Sequence, residues 1–216
     1  MFMRPSNREF CEVDSTNDLL VALIYCVRAF SFGQVANEYF GGNQRKAKYR
    51  VTKLVAQGHL VSERLLIREL PRLQSPLYVW EPGKRPPNVQ SIVVSTRKRW
   101  SAVSAKLTTI YRSGPTTMRI FGGVFKKSLS HPLQASHDLG LAGTYLAVRR
   151  YRPEIARFWF GEDVAPKQLG SVPDAIYIDQ QGNTRIAFEF CGLYSAKRLQ
   201  AFHRHCANVR LCYELW

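Results

Sequence analysis

Apolar residues recur every three or four positions through the first sixty residues, and at strand spacing in several later stretches. Leu19, Leu20, Leu23, Ile24, Val27 and Phe30 form a broad stripe, and Ser15 or Thr16 can cap a helix reaching to about Phe30. Ser31 can cap a second, shorter helix through Val35, Ala36, Tyr39 and Phe40, which Gly41-Gly42 stops. Asn43 then caps a third helix, Gln44 to Gln57, ended by Gly58. On that helix Ala47, Val51, Leu54 and Val55 share one side, while Lys46, Tyr49, Arg50 and Lys53 line another.

Leu60 to Leu70 and Pro76 to Trp80 read as two strands of a hairpin around Pro71 to Ser75. Three helices followed by a hairpin is the order of a winged helix-turn-helix, whose third helix enters the major groove of DNA. Glu81 to Asn88, EPGKRPPN, breaks the pattern and marks a domain boundary. Beyond it Val89 to Arg112 reads as a connector helix, and Ser113 to Leu129 as a loop with a strand at Met118 to Phe121. A helix from His137 to Arg150, capped by Ser136, is followed by strands at Ile155 to Phe160, Ala175 to Asp179 and Arg185 to Phe190. A helix from Ser195 to Cys206 and a strand from Val209 to Leu215 complete the chain. The fold expected is therefore α+β: a winged helix over residues 1–88, a basic connector over 89–130 and a mixed α/β unit over 131–216.

Charge sharpens this picture. The formal net charge is +15, and residues 91–130 hold eight bases and no acid. A one-sign field of that kind attracts phosphate backbones, which makes double-stranded DNA the expected partner. Arg45, Lys46, Tyr49, Arg50 and Lys53 on the third helix, with Arg97, Lys98 and Arg99 on the connector, are the candidate contacts. Such binding requires no cofactor. Tyr49 reads as a partly buried aromatic, and none of the eight is assigned a base, because phosphate and base contacts are not separable in a sequence. Five cysteines with no Cys-x-x-Cys pair argue against a disulfide frame or zinc ribbon, and no apolar run approaches the roughly 20 residues of a membrane span. A reducing cytoplasm is the expected location.

The remaining chemistry gathers at the hairpin SVPDAIYIDQQGNTRIAFEFC, Ser171 to Cys191. Pairing through the turn at Gln181-Gly182-Asn183 brings Asp174 and Glu189 to one end, where two carboxylates could hold Mg²⁺ or Mn²⁺. Alternation puts Glu189 and Cys191 on one face and Phe188 and Phe190 on the other. His137 and Asp138 sit near a helix start, with Asp138 either a dipole partner or an auxiliary acid. His203 and His205 point about 200° apart on their helix, too far to share an ion.

Pro173-Asp174, about fifteen residues, then Glu189-x-Cys191 resembles the Pro-Asp, Asp/Glu-x-Lys pattern of metal-dependent nucleases with a restriction-endonuclease-like fold. Cys191 stands where that family has lysine; Lys197, on the following helix, could swing a charge back to the acids. A second resemblance covers most of the chain. The run Lys48 to Leu60, KYRVTKLVAQGHL, together with His137-Asp138-Leu139, Val172-Pro173-Asp174-Ala175 and Phe188-Glu189, resembles plasmid replication-relaxation proteins. This resemblance implies a winged helix fused to a nuclease-like unit that need not cleave, in a DNA-binding accessory protein assisting replication or mobilisation with other proteins of a mobile element. An active metal-dependent endonuclease using Asp174, Glu189 and Lys197, or a transcriptional repressor, is the alternative.

Overall fold

Helix α1 (Ser15–Tyr25) is shorter than its apolar stripe suggests, because the chain turns after it into a two-residue strand, β1 (Phe30–Ser31). The structure, a computed structural model, describes residues 15–70, 72–123, 129, 131–166 and 173–216. Cys11, Pro71, the Lys126-Lys127 pair and Val172 lie outside them. Ser31 ends β1 and caps α2 (Phe32–Tyr39): its hydroxyl accepts from Gln34 N, and the Gln34 side chain accepts from Ser31 N. Gly42, at φ 80°, turns the chain into α3 (Gln44–Ala56), where Asn43 Oδ1 accepts from Lys46 N at 2.9 Å. Gly58, at φ 73°, ends that helix.

Strand β2 (Leu60–Ile67) does not pair with the strand that follows it. Its antiparallel partner is β4 (Lys106–Ser113), which also pairs with β1, giving a sheet of order β1-β4-β2. The hairpin expected between residues 60–70 and 76–80 is absent, since β3 (Tyr78–Trp80) pairs instead with β8 (Cys212–Leu215). The single helix expected over Val89 to Arg112 is likewise two elements. Helix α4 (Val89–Ser101), capped by Asn88, buries Ile92, Val93 and Trp100, and the chain then re-enters the first sheet as β4. Thr108-Thr109-Ile110-Tyr111 is β-branched and aromatic, which suits a strand with neighbours on both sides better than a helix.

Helix α5 (Pro115–Phe121), with Pro at its first turn, replaces the strand expected at Met118 to Phe121. Helix α6 (Pro132–Tyr151) begins at the His131 cap and Pro132 rather than at Ser136. The Ser136 hydroxyl donates to Pro132 O and accepts from Arg68 N, tying the end of β2 to α6. A short helix α7 (Pro153–Ala156) takes residues expected in a strand, and β5 (Trp159–Gly161), β6 (Ala175–Ile178), β7 (Thr184–Glu189), α8 (Ala196–Asn208) and β8 follow. The second sheet has the order β3-β8-β7-β6-β5, antiparallel throughout except for the parallel pair β7 and β8. The architecture is mixed α+β, and among the described residues no helix is long and apolar enough to cross a membrane.

Helix α6 joins the two sheets. Its Leu141, Tyr145 and Leu146 belong to one buried cluster that includes Leu23, Tyr39 and Val51 from the first three helices and Trp159, Phe188 and Trp216 from the second layer. Burial of this kind is worth about 25 cal/mol per Å² of apolar surface, so it is the main term holding the layers together. The expected boundary at Glu81 to Asn88 falls between β3 and α4, and both elements pack with α8 in a second cluster containing Trp80, Ile92, Leu199 and Tyr213. Tyr78 Oη donates to Arg85 O at 2.8 Å and Trp80 Nε1 to Lys84 O at 3.1 Å, pinning that loop.

Candidate functional site

Two surfaces carry the residues singled out by the sequence. The first is α3. Ala47, Val51 and Leu54 are buried beneath it, and Arg45, Lys46, Lys48, Tyr49, Thr52 and Lys53 are exposed. Tyr49 is 69% exposed, not partly buried as expected. Arg50 is half-buried and donates Nε to Thr16 Oγ1 at 2.9 Å, fastening α3 to the start of α1. Lys48 is a basic residue the sequence reading left out of its contact set, because it lies off the edge defined by Lys46 and Lys53.

On α4, Arg97 and Lys98 are exposed, and Arg99 turns inward. Its NH2 donates to Cys191 O at 3.0 Å and Trp216 O at 2.9 Å, and its guanidinium lies 5.0 Å from the centre of the Phe190 ring. Burial lowers its pKa from the ordinary arginine value. Arg99 therefore holds the ends of β7 and β8 together, a task for which its fork of donors is suited.

The second surface is the end of the β6–β7 hairpin. The register Ala175 to Phe188 places Asp174 beside Glu189 as the sequence implies. Phe190 N donates to Asp174 Oδ2 at 2.8 Å, and Asp174 N to Glu189 Oε2 at 3.3 Å. Helix α6 adds His137, because Gly140 one turn later lets helix and strand approach until a Cβ there would sit 2.1 Å from the Phe190 ring. His137 Nε2 lies 3.3 Å from Asp174 Oδ2, 3.1 Å from Phe190 O and 3.0 Å from Tyr194 Oη, and Nδ1 is 3.7 Å from Asp138 Oδ1. A carbonyl only accepts, so Nε2 carries a proton in its contact with Phe190. Asp138 is buried and accepts from Gln134 Nε2 at 2.8 Å.

The cation that reaches Glu189 is Arg198, not Lys197. Arg198 NH2 lies 3.3 Å from Glu189 Oε1 and 2.8 Å from Tyr194 Oη, and its guanidinium stacks 3.7 Å above the Tyr194 ring. Lys197, one residue earlier and so turned about 100° away, is exposed. The signal for this pair was in the sequence: Tyr194 and Arg198 are four residues apart across the Ser195 cap, and only a short segment separates the end of β7 from the first turn of α8.

Protonation follows from these contacts. Burial alone would pull His137 down, but the neighbouring carboxylates of Asp138 and Asp174 outweigh it and push the imidazole up to about 10. The raised pKa favours the charged form of this half-buried imidazole at neutral pH. Burial, reinforced by the charge of Asp174 and opposed by Arg198, pushes Glu189 well above the usual carboxylate range. Burial also raises the Cys191 thiol, which is enclosed with Ala187, Trp80 and Tyr213 on the α8 side of the sheet. It lies on the Glu189 face of β7, as alternation requires, but as a packed thiol.

This donor set does not fit a divalent ion as arranged. Oxygens of Asp174 and Glu189 are engaged by backbone N–H groups, and a protonated imidazole and a guanidinium already supply positive charge at 3.3 Å. A metal would have to displace one of them. Elsewhere, His203 Nδ1 lies 3.0 Å from Tyr213 Oη with its ring edge-on to Trp80, so its role is packing. Comparison with protein-family models, curated proteins and solved structures finds no match for this chain.

Proposed function

We propose that this chain is a double-stranded-DNA-binding accessory protein of a plasmid or other mobile element, working in the cytoplasm beside other proteins of that element, whose nuclease-like layer does not cleave. The observation that carries the reading is the exposed basic face of α3 on an α1-β1-α2-α3-β2 unit closed by β4, with sheet order β1-β4-β2. That order is what a winged helix-turn-helix requires, with residues 68–105 replacing the usual short wing. The succession α6, α7, β5, β6, β7, α8, β8, with β7 parallel to β8, supports the restriction-endonuclease-like reading of the second layer. The resemblance to replication-relaxation proteins supplies the mobile-element context. Cleavage in such a layer requires acids around a metal and a cation directing water; here His137 is paired with Asp174 and Arg198 with Glu189 instead.

Two measurements test the reading. Fluorescence anisotropy with a plasmid-derived duplex should give binding that weakens steeply with salt, and supercoiled plasmid incubated with Mg²⁺ or Mn²⁺ should stay supercoiled. Nicking abolished by Glu189→Ala would replace this reading with an endonuclease, and no duplex binding at low salt would remove it.

A further inference from the structure

Helix α3 presents three distinct lines of side chains. Its core direction is set by buried Ala47, Val51 and Leu54. At about 100° per residue, Arg45, Tyr49, Thr52 and Ala56 fall within roughly 45° of the opposite direction, the line furthest from the protein body. Lys46 and Lys53 border this line on one side and Lys48 on the other. All seven residues are exposed. Asn43 Oδ1 is taken up by its cap to Lys46 N, and Arg50 Nε is directed to Thr16.

A helix in a major groove about 12 Å wide sends its outermost line to the base edges and its flanks to the phosphates of the two walls. Lysine is a point charge suited to a phosphate, whereas the planar fork of arginine matches guanine O6 and N7. The Tyr49 ring, exposed among polar neighbours, has a face for a thymine methyl and a hydroxyl for a base edge. Resting on the DNA-binding reading above, we infer that Arg45 and Tyr49 read sequence, Arg45 a guanine and Tyr49 a thymine about two base pairs away, with Thr52 beside them, while Lys46, Lys48 and Lys53 hold phosphates. The spacing follows from one helical turn, about 5.4 Å, set against about 3.4 Å per base pair.

The test is selection of duplexes from a randomised pool by the full chain, followed by anisotropy on the selected and a scrambled duplex over a salt series. Arg45→Ala and the charge-keeping Arg45→Lys should each lose about 10- to 100-fold on the selected duplex and far less on the scrambled one. Lys46→Ala and Lys53→Ala should weaken both duplexes alike and reduce the salt slope by about 0.9 each. If Arg45→Lys binds the selected duplex like wild type, or if selection enriches no sequence while wild type binds every duplex, base reading by this line is refuted and DNA binding stands. Loss of wild-type binding to both duplexes would instead remove the function on which the inference rests. Unchanged melting temperatures of the variants exclude misfolding as the cause.

Discussion

His137 Nε2 and Asp174 Oδ2 stand 3.3 Å apart, joining the first helix of the second layer to the strand that follows Pro173. The imidazole is held charged to about pH 10, against an ordinary value near 6.5 in the unfolded chain. The stabilisation it provides is therefore complete below about pH 6.5 and is lost as pH rises through 10. Wild-type melting temperature should fall between pH 7 and 10, and His137→Gln should start lower and show a flatter profile over that window. A calorimetric pH series of the two proteins checks this.

Glu189 and Asp174 should respond oppositely to neutralisation. A buried carboxylate whose folded pKa is raised contributes stability that is full below its ordinary value near 4.3 and is lost as pH rises through the raised folded value, about 8 for Glu189. Glu189→Gln keeps the acceptor for Asp174 N and removes that loss, so it should raise the melting temperature at pH 8 by about 2 °C or more. Asp174→Asn removes the partner of His137 and should lower it. Thermal unfolding of both variants at pH 8 decides the matter.

The connector charges divide by direction. Arg97→Ala with Lys98→Ala should reduce the salt slope of DNA binding by up to about 1.8 if both meet phosphates, with little effect on stability. Arg99→Ala should do the reverse, because it removes the donor to Cys191 O and leaves Trp216 O with Cys191 N alone, and should cost about 2–3 kcal/mol in urea unfolding.

Gly140→Ala should destabilise by about 3 kcal/mol or more, since its Cβ would overlap the Phe190 ring at 2.1 Å and force α6 off β7. Because His137 rides on the same helix, the pH dependence described above should also flatten in this variant.

Glu81 to Asn88 is exposed over most of its length and rich in Pro and charge, so limited proteolysis should nick there. The two fragments should nonetheless elute together from a sizing column, because β3 on one is paired with β8 on the other and α6 belongs to a cluster shared by both.

The caps were the most legible part of the sequence. Ser31 and Asn43 each cap the helix assigned to them, because a cap is a contact between near neighbours, whereas Ser136 sits inside α6, which His131 caps. The pairing of Asp174 with Glu189 was legible for the same reason, a tight turn fixing register. Strand partners across long separations were not. Nothing near Tyr78 announces that it will meet Leu215, and the β-branched run at Thr108 was masked by the helical spacing of the residues before it. Arg99 misled because composition records a charge but not its direction. His137 was noticed as a landmark, yet only the close approach at Gly140 makes it the partner of Asp174.

The excursion from β2 through β3 and α4 back to β4 also constrains the order in which the protein can assemble. When residues 78–80 leave the ribosome, the strand that will hold them has not yet been made, and it emerges only after α8. The first sheet, by contrast, has all three strands once β4 is synthesised. The half that holds the first sheet can thus begin to form while its own insertion waits, with Tyr78, Val79 and Trp80 uncovered. Long-range pairing of this kind slows folding and exposes an aggregation-prone edge in the interval. A nascent chain stalled just after β4 is the species in which a chaperone would find that edge.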